Sequence, residues 1–131
     1  MATIPIQRVS IDTSETYQLI GEAYGSQSRK NMEVFLWEEL GEGDDGQPLC
    51  VMNEVVELSF HMIKNSGTVE LAIEGSNTGA NWVDLQDQTG TAIAATDTAV
   101  FGFVPYTLYV RPDVTSGTSA DVDIYVVVRY K

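Results

Sequence analysis

The chain has 131 residues, with 19 acidic against 7 basic side chains and a formal net charge of −12. That length suits one domain able to bury roughly two-thirds of the surface its unfolded form exposes. The charge excludes general binding to a nucleic-acid backbone or an anionic membrane, and the single cysteine, Cys50, excludes an internal disulfide and a thiolate metal cluster built from one copy.

The N-terminal Met1-Ala2-Thr3-Ile4-Pro5-Ile6 lacks the charged flank and apolar core of a signal peptide. No apolar run reaches the roughly 18 residues needed to span a bilayer, so a soluble chain made in a cytoplasm is expected. Residues 1–14 hold few apolar side chains and read as an extended arm that orders on a neighbour, which leaves 15–131 as a single domain. Tyr17, Leu19 and Ile20 form a candidate strand ending at Gly21. Met32 to Leu40 fits a strand or one short helix; the β-formers Val34, Phe35 and Trp37 favour the strand. Gly41 to Pro48 then reads as a mobile acidic loop. From Asn31 to Ile63 there are eight acids and no Lys or Arg, a segment that faces open solvent or a basic partner.

From Glu54 to Lys64, Val56, Leu58, Phe60 and Met62 fall on one side of a strand and Glu57, Ser59 and His61 on the other. Asn65-Ser66-Gly67 is the expected turn of an antiparallel hairpin into a second strand, where Val69, Leu71 and Ile73 alternate with Glu70, Ala72 and Glu74. The polar run Gly75 to Asn81 reverses the chain once more, before Trp82. Ala99 to Val104 and Tyr106 to Arg111 read as strands separated by Pro105. Pro112 is expected to end the second, since it cannot donate a ladder hydrogen bond. Asp113 to Ala120 reads as a polar loop. The terminal strand, Asp121 to Tyr130, sets Val122, Ile124, Val126, Val128 and Tyr130 on one face. No segment sustains a 3.6-residue period.

Candidate chemistry is thin. His61 lies on a polar strand face with Glu57 near it, a geometry that allows a His–carboxylate pair but supplies no nucleophile; a surface or interface histidine is the simpler reading. Glu42, Asp44 and Asp45 offer oxygen ligands for Ca²⁺ without the spacing of a twelve-residue calcium loop, so a solvated turn is expected. Cys50, beside Val51 and Met52, reads as a small buried hydrophobe. Trp37 and Trp82 are able to stack on sugars, but a tryptophan after a turn in a sandwich more often plugs the core.

The segment Glu74-Gly75-Ser76-Asn77-Thr78-Gly79-Ala80-Asn81-Trp82-Val83-Asp84-Leu85 is similar to a GSNDGxxW hairpin found in discoidin-like sugar-binding domains and in small structural proteins of tailed-bacteriophage virions. Tyr106 to Arg111, followed by a Thr/Ser/Gly loop and a terminal strand, resembles both groups. Small size, acidic surface, lone cysteine, arm and missing signal peptide resemble the phage head-decoration, or cement, proteins more closely. Thr78 stands where the sugar-binding pattern commonly has Asp.

The resemblance implies an all-β fold, an antiparallel β-sandwich that is jelly-roll-like with an extended N-terminal arm. It implies a non-enzymatic virion structural protein on the capsid surface that bridges subunits of the major capsid protein as a homotrimer, without cofactor or metal. The expected interface residues are Ile4, Ile6 and Arg8 of the arm and Glu38, Glu39, Asp44 and Asp45 of the acidic segment. A carbohydrate-binding or host-adhesion module of a phage tail or fibre is the alternative, and a hydrolase ranks last.

Overall fold

Two strands of 22 residues each organise the chain. In a computed structural model that describes residues 2–9, 32–51 and 54–131, β6 (Val55–Ser76) and β10 (Tyr109–Tyr130) pair antiparallel along their whole length. Eight shorter strands flank this ribbon: β1 (Thr3–Ile4), β2 (Gln7–Val9), β3 (Met32–Leu40), β4 (Asp45–Gly46), β5 (Leu49–Cys50), β7 (Val83–Asp84), β8 (Ala94–Ala95) and β9 (Ala99–Phe103). Beside residues 122–129 of β10 lies β3, with β2 outside it, and beside the first half of β6 lies β9. At the other end β4 and β5 flank the start of β10, β1 adds to β4, and β7 and β8 pair with the second half of β6. The ribbon thus contributes strands to both layers of an all-β sandwich.

The core lies between the layers, where alternation directs one face of each strand. Leu58, Phe60 and Met62 meet Val122, Ile124, Val126 and Val128 there, joined by Leu71, Ile73, Val110 and Val114 from the other half of the ribbon. Phe60 is fully buried and stacks on Trp37, Phe101 and Phe103 at centroid distances of 6.1, 5.9 and 5.7 Å. Trp37 is also fully buried, and its indole Nε1–H donates to the Gln47 carbonyl at 3.0 Å. Burial therefore leaves no polar atom of that ring unpaired.

Met32–Leu40 is a strand, and the alternations at residues 58–62, 69–73 and 122–128 put Leu58, Phe60, Leu71, Ile73, Val122, Ile124, Val126 and Val128 in the core, as expected. The hairpin at Asn65-Ser66-Gly67 is not formed. Those residues continue β6 across a pair of bulges, where the register slips between Thr118 and Asp121 and again before Val122. Gly67 has φ +74°, and a Cβ there would lie 2.3 Å from the carbonyl oxygens of Thr118 and Ser119. The bend therefore depends on glycine. Asp113–Ala120, expected as a loop, is likewise strand. Thr115, Ser116, Thr118 and Ser119 are exposed because, among the described residues, the ribbon is only two strands wide there, so polar residues serve where a core strand needs alternation.

Pro112 does not end its strand either. It sits opposite Ile73, whose N–H and C=O both bond away from β10, to Ile93 and from Leu85, so this position needs no donor toward β6. Val56 is exposed, against expectation, because the register skips it between the Arg129–Glu57 and Tyr130–Val55 pairs, and Val55 packs on the core instead. Gly41–Pro48 is a pinned turn leading into β4: Gly43 N–H donates to the Val114 carbonyl at 2.8 Å, and the Asp44 carboxylate accepts from Gly41 N–H at 2.9 Å.

The arm is extended over its described residues. Ile4 and Ile6 pack against this chain's own core, β1 runs parallel to β4 and β2 antiparallel to β3. The candidate strand at Tyr17, Leu19 and Ile20, and the rest of the arm to residue 14, lie outside the described residues.

Candidate functional site

Four strands set carboxylates on the face of the sandwich turned away from the core. On β10, Val110 and Val114 point inward, so Arg111 and Asp113 point outward. Pairing then places Glu74 of β6 across from Arg111, Asp84 of β7 across from Glu74, and Asp45 of β4 across from Asp113. Among the described residues one guanidinium serves this group. Arg111 Nε donates to Glu74 Oε1 at 2.9 Å, its Nη1 lies 3.3 Å from Asp45 Oδ2, and its guanidinium carbon sits 4.1 Å from the centre of the Trp82 ring.

The excess of carboxylates is felt at Asp113. Its pKa is pushed up to about 6, first by burial and then by the negative charge of Glu74, with Asp45 and Asp84 adding to the rise and Arg111 opposing it. This face is consequently a region of concentrated negative potential anchored by one buried-stem arginine.

Trp82 belongs to this face and not to the core. It is half-buried under Arg111, and Leu85, three residues later, is the side chain that fills the interior at 1% exposure, together with Ile93. The turn before it is as the residues suggest. Ser76 Oγ accepts from the Thr78 and Gly79 N–H groups at 3.1 and 2.9 Å, and Thr78 Oγ1 accepts from Ala80 and Asn81 at 3.1 and 3.0 Å. The hairpin is real, but β7 pairs Asp84 with Glu74, so Trp82 shares the outer face with Asp84 and the core position falls to Leu85.

The expected interface residues are dispersed over several strands. Asp45 joins the Arg111 cluster, while Asp44 is used internally, its Oδ1 accepting from Ala2 N–H at 2.9 Å and its Oδ2 from Gly41. Glu38 and Glu39 are exposed at a bulge where β3 carries an extra residue opposite Asp123, and Glu39 takes φ +59° with its N–H donating to Asp123 Oδ1 at 2.9 Å. Arg8 projects from β2 onto Glu33 at 3.1 Å. Glu33 also accepts from the Tyr130 hydroxyl, and burial followed by that bond raises the phenol to about 12. Ile4 and Ile6 are half-buried.

Glu42, offered as a calcium ligand, accepts from Ala120 N–H at 3.1 Å, and among the described residues no group of three His, Cys, Asp or Glu side chains is placed to hold a metal ion. Cys50 is exposed, correcting its expected burial. It lies at the end of the two-residue strand β5, where Leu49 and Val51 pack on the core in its place. His61 is exposed between Val100 and Tyr125 of the neighbouring strands.

A groove of about 610 Å³ lies at the end of β9, between the 86–89 turn and Gly102–Tyr106. Tyr106 closes one end: its hydroxyl donates to the Gln86 carbonyl at 3.1 Å and accepts from Gln86 N–H at 3.0 Å. Sequence reasoning missed this feature, although the uncharged stretch Thr98–Val110 is its visible trace.

No family model matches the chain, and no curated protein matches it. Among solved structures it is similar to the SPBc2 prophage-derived protein YomS, with 19% identity, a TM-score of 0.60, and coverage of 74% of this chain and 91% of that one. The likeness is one of fold. A cupin protein from Desulfovibrio desulfuricans aligns at 13% identity and TM-score 0.47, covering 97% of this chain and 82% of its own. A cupin domain from Bordetella pertussis Tohama I aligns at 11% and 0.44, covering 98% of each chain.

Proposed function

We propose that this chain is a non-enzymatic structural protein of a tailed-phage virion, held on the capsid surface as a decoration or cement protein that bridges subunits of the major capsid protein. The observation that carries the reading is the outward face on which Asp45, Glu74, Asp84 and Asp113 gather around Arg111. A rigid sheet with concentrated negative charge suits a basic patch on a shell. Several copies, each making one modest contact, hold by avidity what a single copy would release. The prophage origin of YomS, which shares the fold, is in keeping with a phage setting.

The test is release of the protein from purified particles at low and high ionic strength. Attachment through exposed charge weakens as salt rises, because screening shortens the reach of each pair to about 8–10 Å. Asp84→Asn, at an exposed position of the face, should lower the salt needed for release. Salt-insensitive attachment would refute the reading.

A carbohydrate-binding or adhesion module is the second reading, and the half-exposed Trp82 beside carboxylates favours it, an aromatic platform with acceptors being what a sugar requires. The Arg111 guanidinium covers one ring face, leaving a single face for a glycan. A glycan array separates the two: binding lost in Trp82→Ala with particle attachment retained would select the adhesin.

A further inference from the structure

Most of this surface repels a second copy, because each chain carries a net charge of −12. One stretch does not. Thr98 to Val110 contains no Asp, Glu, Lys or Arg. Four of the six large apolar side chains exposed among the described residues lie within it: Val100, Val104, Tyr106 and Leu108. Of the acids around it, Asp97 lies 3.6 Å from Lys64, Glu57, which lines the groove with Phe103, lies 3.7 Å from Arg129, and Asp87, on the far side of the groove, accepts from Thr89 and Thr91.

In the first half of that stretch lies β9, an edge strand among the described residues. Among the described residues it pairs only with β6, so alternate residues direct their N–H and C=O groups out of the sheet. Edge strands usually carry a charge or a proline that discourages further pairing. Ala99–Phe103 carries neither. Behind it Phe101 and Phe103 are half-buried and stacked on Phe60, which extends the aromatic row of the core to the open edge.

We propose that β9 pairs antiparallel with β9 of a second copy across a two-fold axis, joining two sandwiches through one continuous sheet. A two-fold contact requires a strand complementary to itself. Centred on Phe101, the pairing sets Val100 opposite the partner's Gly102, so the branched side chain has room, and sets Phe101 opposite the partner's Phe101 as a cross-strand aromatic pair. The charge distribution selects this occupant. A basic partner would find no carboxylate in the segment, whereas a copy of the chain meets this uncharged edge with an identical one. This contact gives pairs, in place of the groups of three expected from sequence, and it does not depend on capsid attachment.

Sedimentation equilibrium of the full chain tests it. The wild type should show a monomer–dimer equilibrium, and V100K should raise its Kd by about tenfold or more, since the dimer gains two like charges at the axis. Val100 is 65% exposed in the single chain, so the substitution leaves the fold intact, which a thermal melt checks. V83K, at a position 64% exposed on β7, should leave the equilibrium unchanged. Independently of any variant, amide exchange at Ala99–Phe103 should slow as protein concentration rises. A chain monomeric at millimolar concentration, a trimer, or a dimer indifferent to V100K would overturn the proposal. So would protection of residues 99–103 that is independent of concentration, as a segment of the same chain would produce.

Discussion

Replacing Asp113 with Asn should stabilise the protein at neutral pH and have no effect in acid. The folded carboxyl has a pKa of about 6, against an ordinary 3.8, because it is partly buried among Glu74, Asp45 and Asp84, which outweigh Arg111. A group whose folded value is raised binds its proton more tightly in the folded state. Its ionised form therefore costs stability, fully above about pH 6, and the cost vanishes once both states are protonated, below about pH 4. The displacement from 3.8 to about 6 corresponds to about 3 kcal/mol at about 1.4 kcal/mol per pKa unit. Solvent reaches this carboxyl, and screening reduces the figure to about 1 kcal/mol. Urea denaturation of wild type and D113N at intervals from pH 4 to pH 8 reads the difference directly. The variant should gain stability progressively through that interval. A difference that is constant with pH, or a variant less stable at pH 8, would refute the electrostatic account of this face.

Three further outcomes follow from the packing. Leu85→Ala should cost about 2–5 kcal/mol in urea denaturation, whereas Trp82→Ala should cost about 1 kcal/mol, the loss of its stacking with Arg111, since Leu85 and not Trp82 fills the core. Gly67→Ala should cost about 1–3 kcal/mol, because φ +74° and the 2.3 Å approach of two carbonyls leave no place for a Cβ; an unaffected melting temperature would mean that the ribbon bends elsewhere. Deleting Ala2–Val9 should lower the melting temperature by several degrees, because it uncovers β3 and removes Ile4 and Ile6 from the core; an unchanged melt would return those residues to the role of a free arm.

The core was legible in the sequence because alternation is a local signal. Val122, Ile124, Val126 and Val128 needed no tertiary knowledge to be assigned to one face, and the same holds for Leu58, Phe60, Leu71 and Ile73. The 22-residue strands were not legible, since polar and glycine-containing stretches such as Asn65–Thr68 and Asp113–Ala120 carry the same residues whether they turn or run exposed in a two-stranded ribbon. Pro112 misled for a related reason. Its effect depends on which neighbour position 112 faces, a fact held by Ile73 and its partners. The acidic cluster was only partly visible: Asp45 lay within the acid-rich segment, but Glu74, Asp84 and Asp113 come together through pairing across 39 residues of chain, from Glu74 to Asp113. A place after a turn does not tell which face Trp82 takes, and the core position falls three residues later, on Leu85.

A cryo-EM map of the purified particle tests the central claim most directly. The account predicts density for this sandwich at regular positions on the outer capsid surface, with the Asp45, Glu74, Asp84 and Asp113 face set against lysine or arginine side chains of the shell. Density confined to the tail or fibres, or a capsid contact that leaves the carboxylate face turned to solvent, would contradict it.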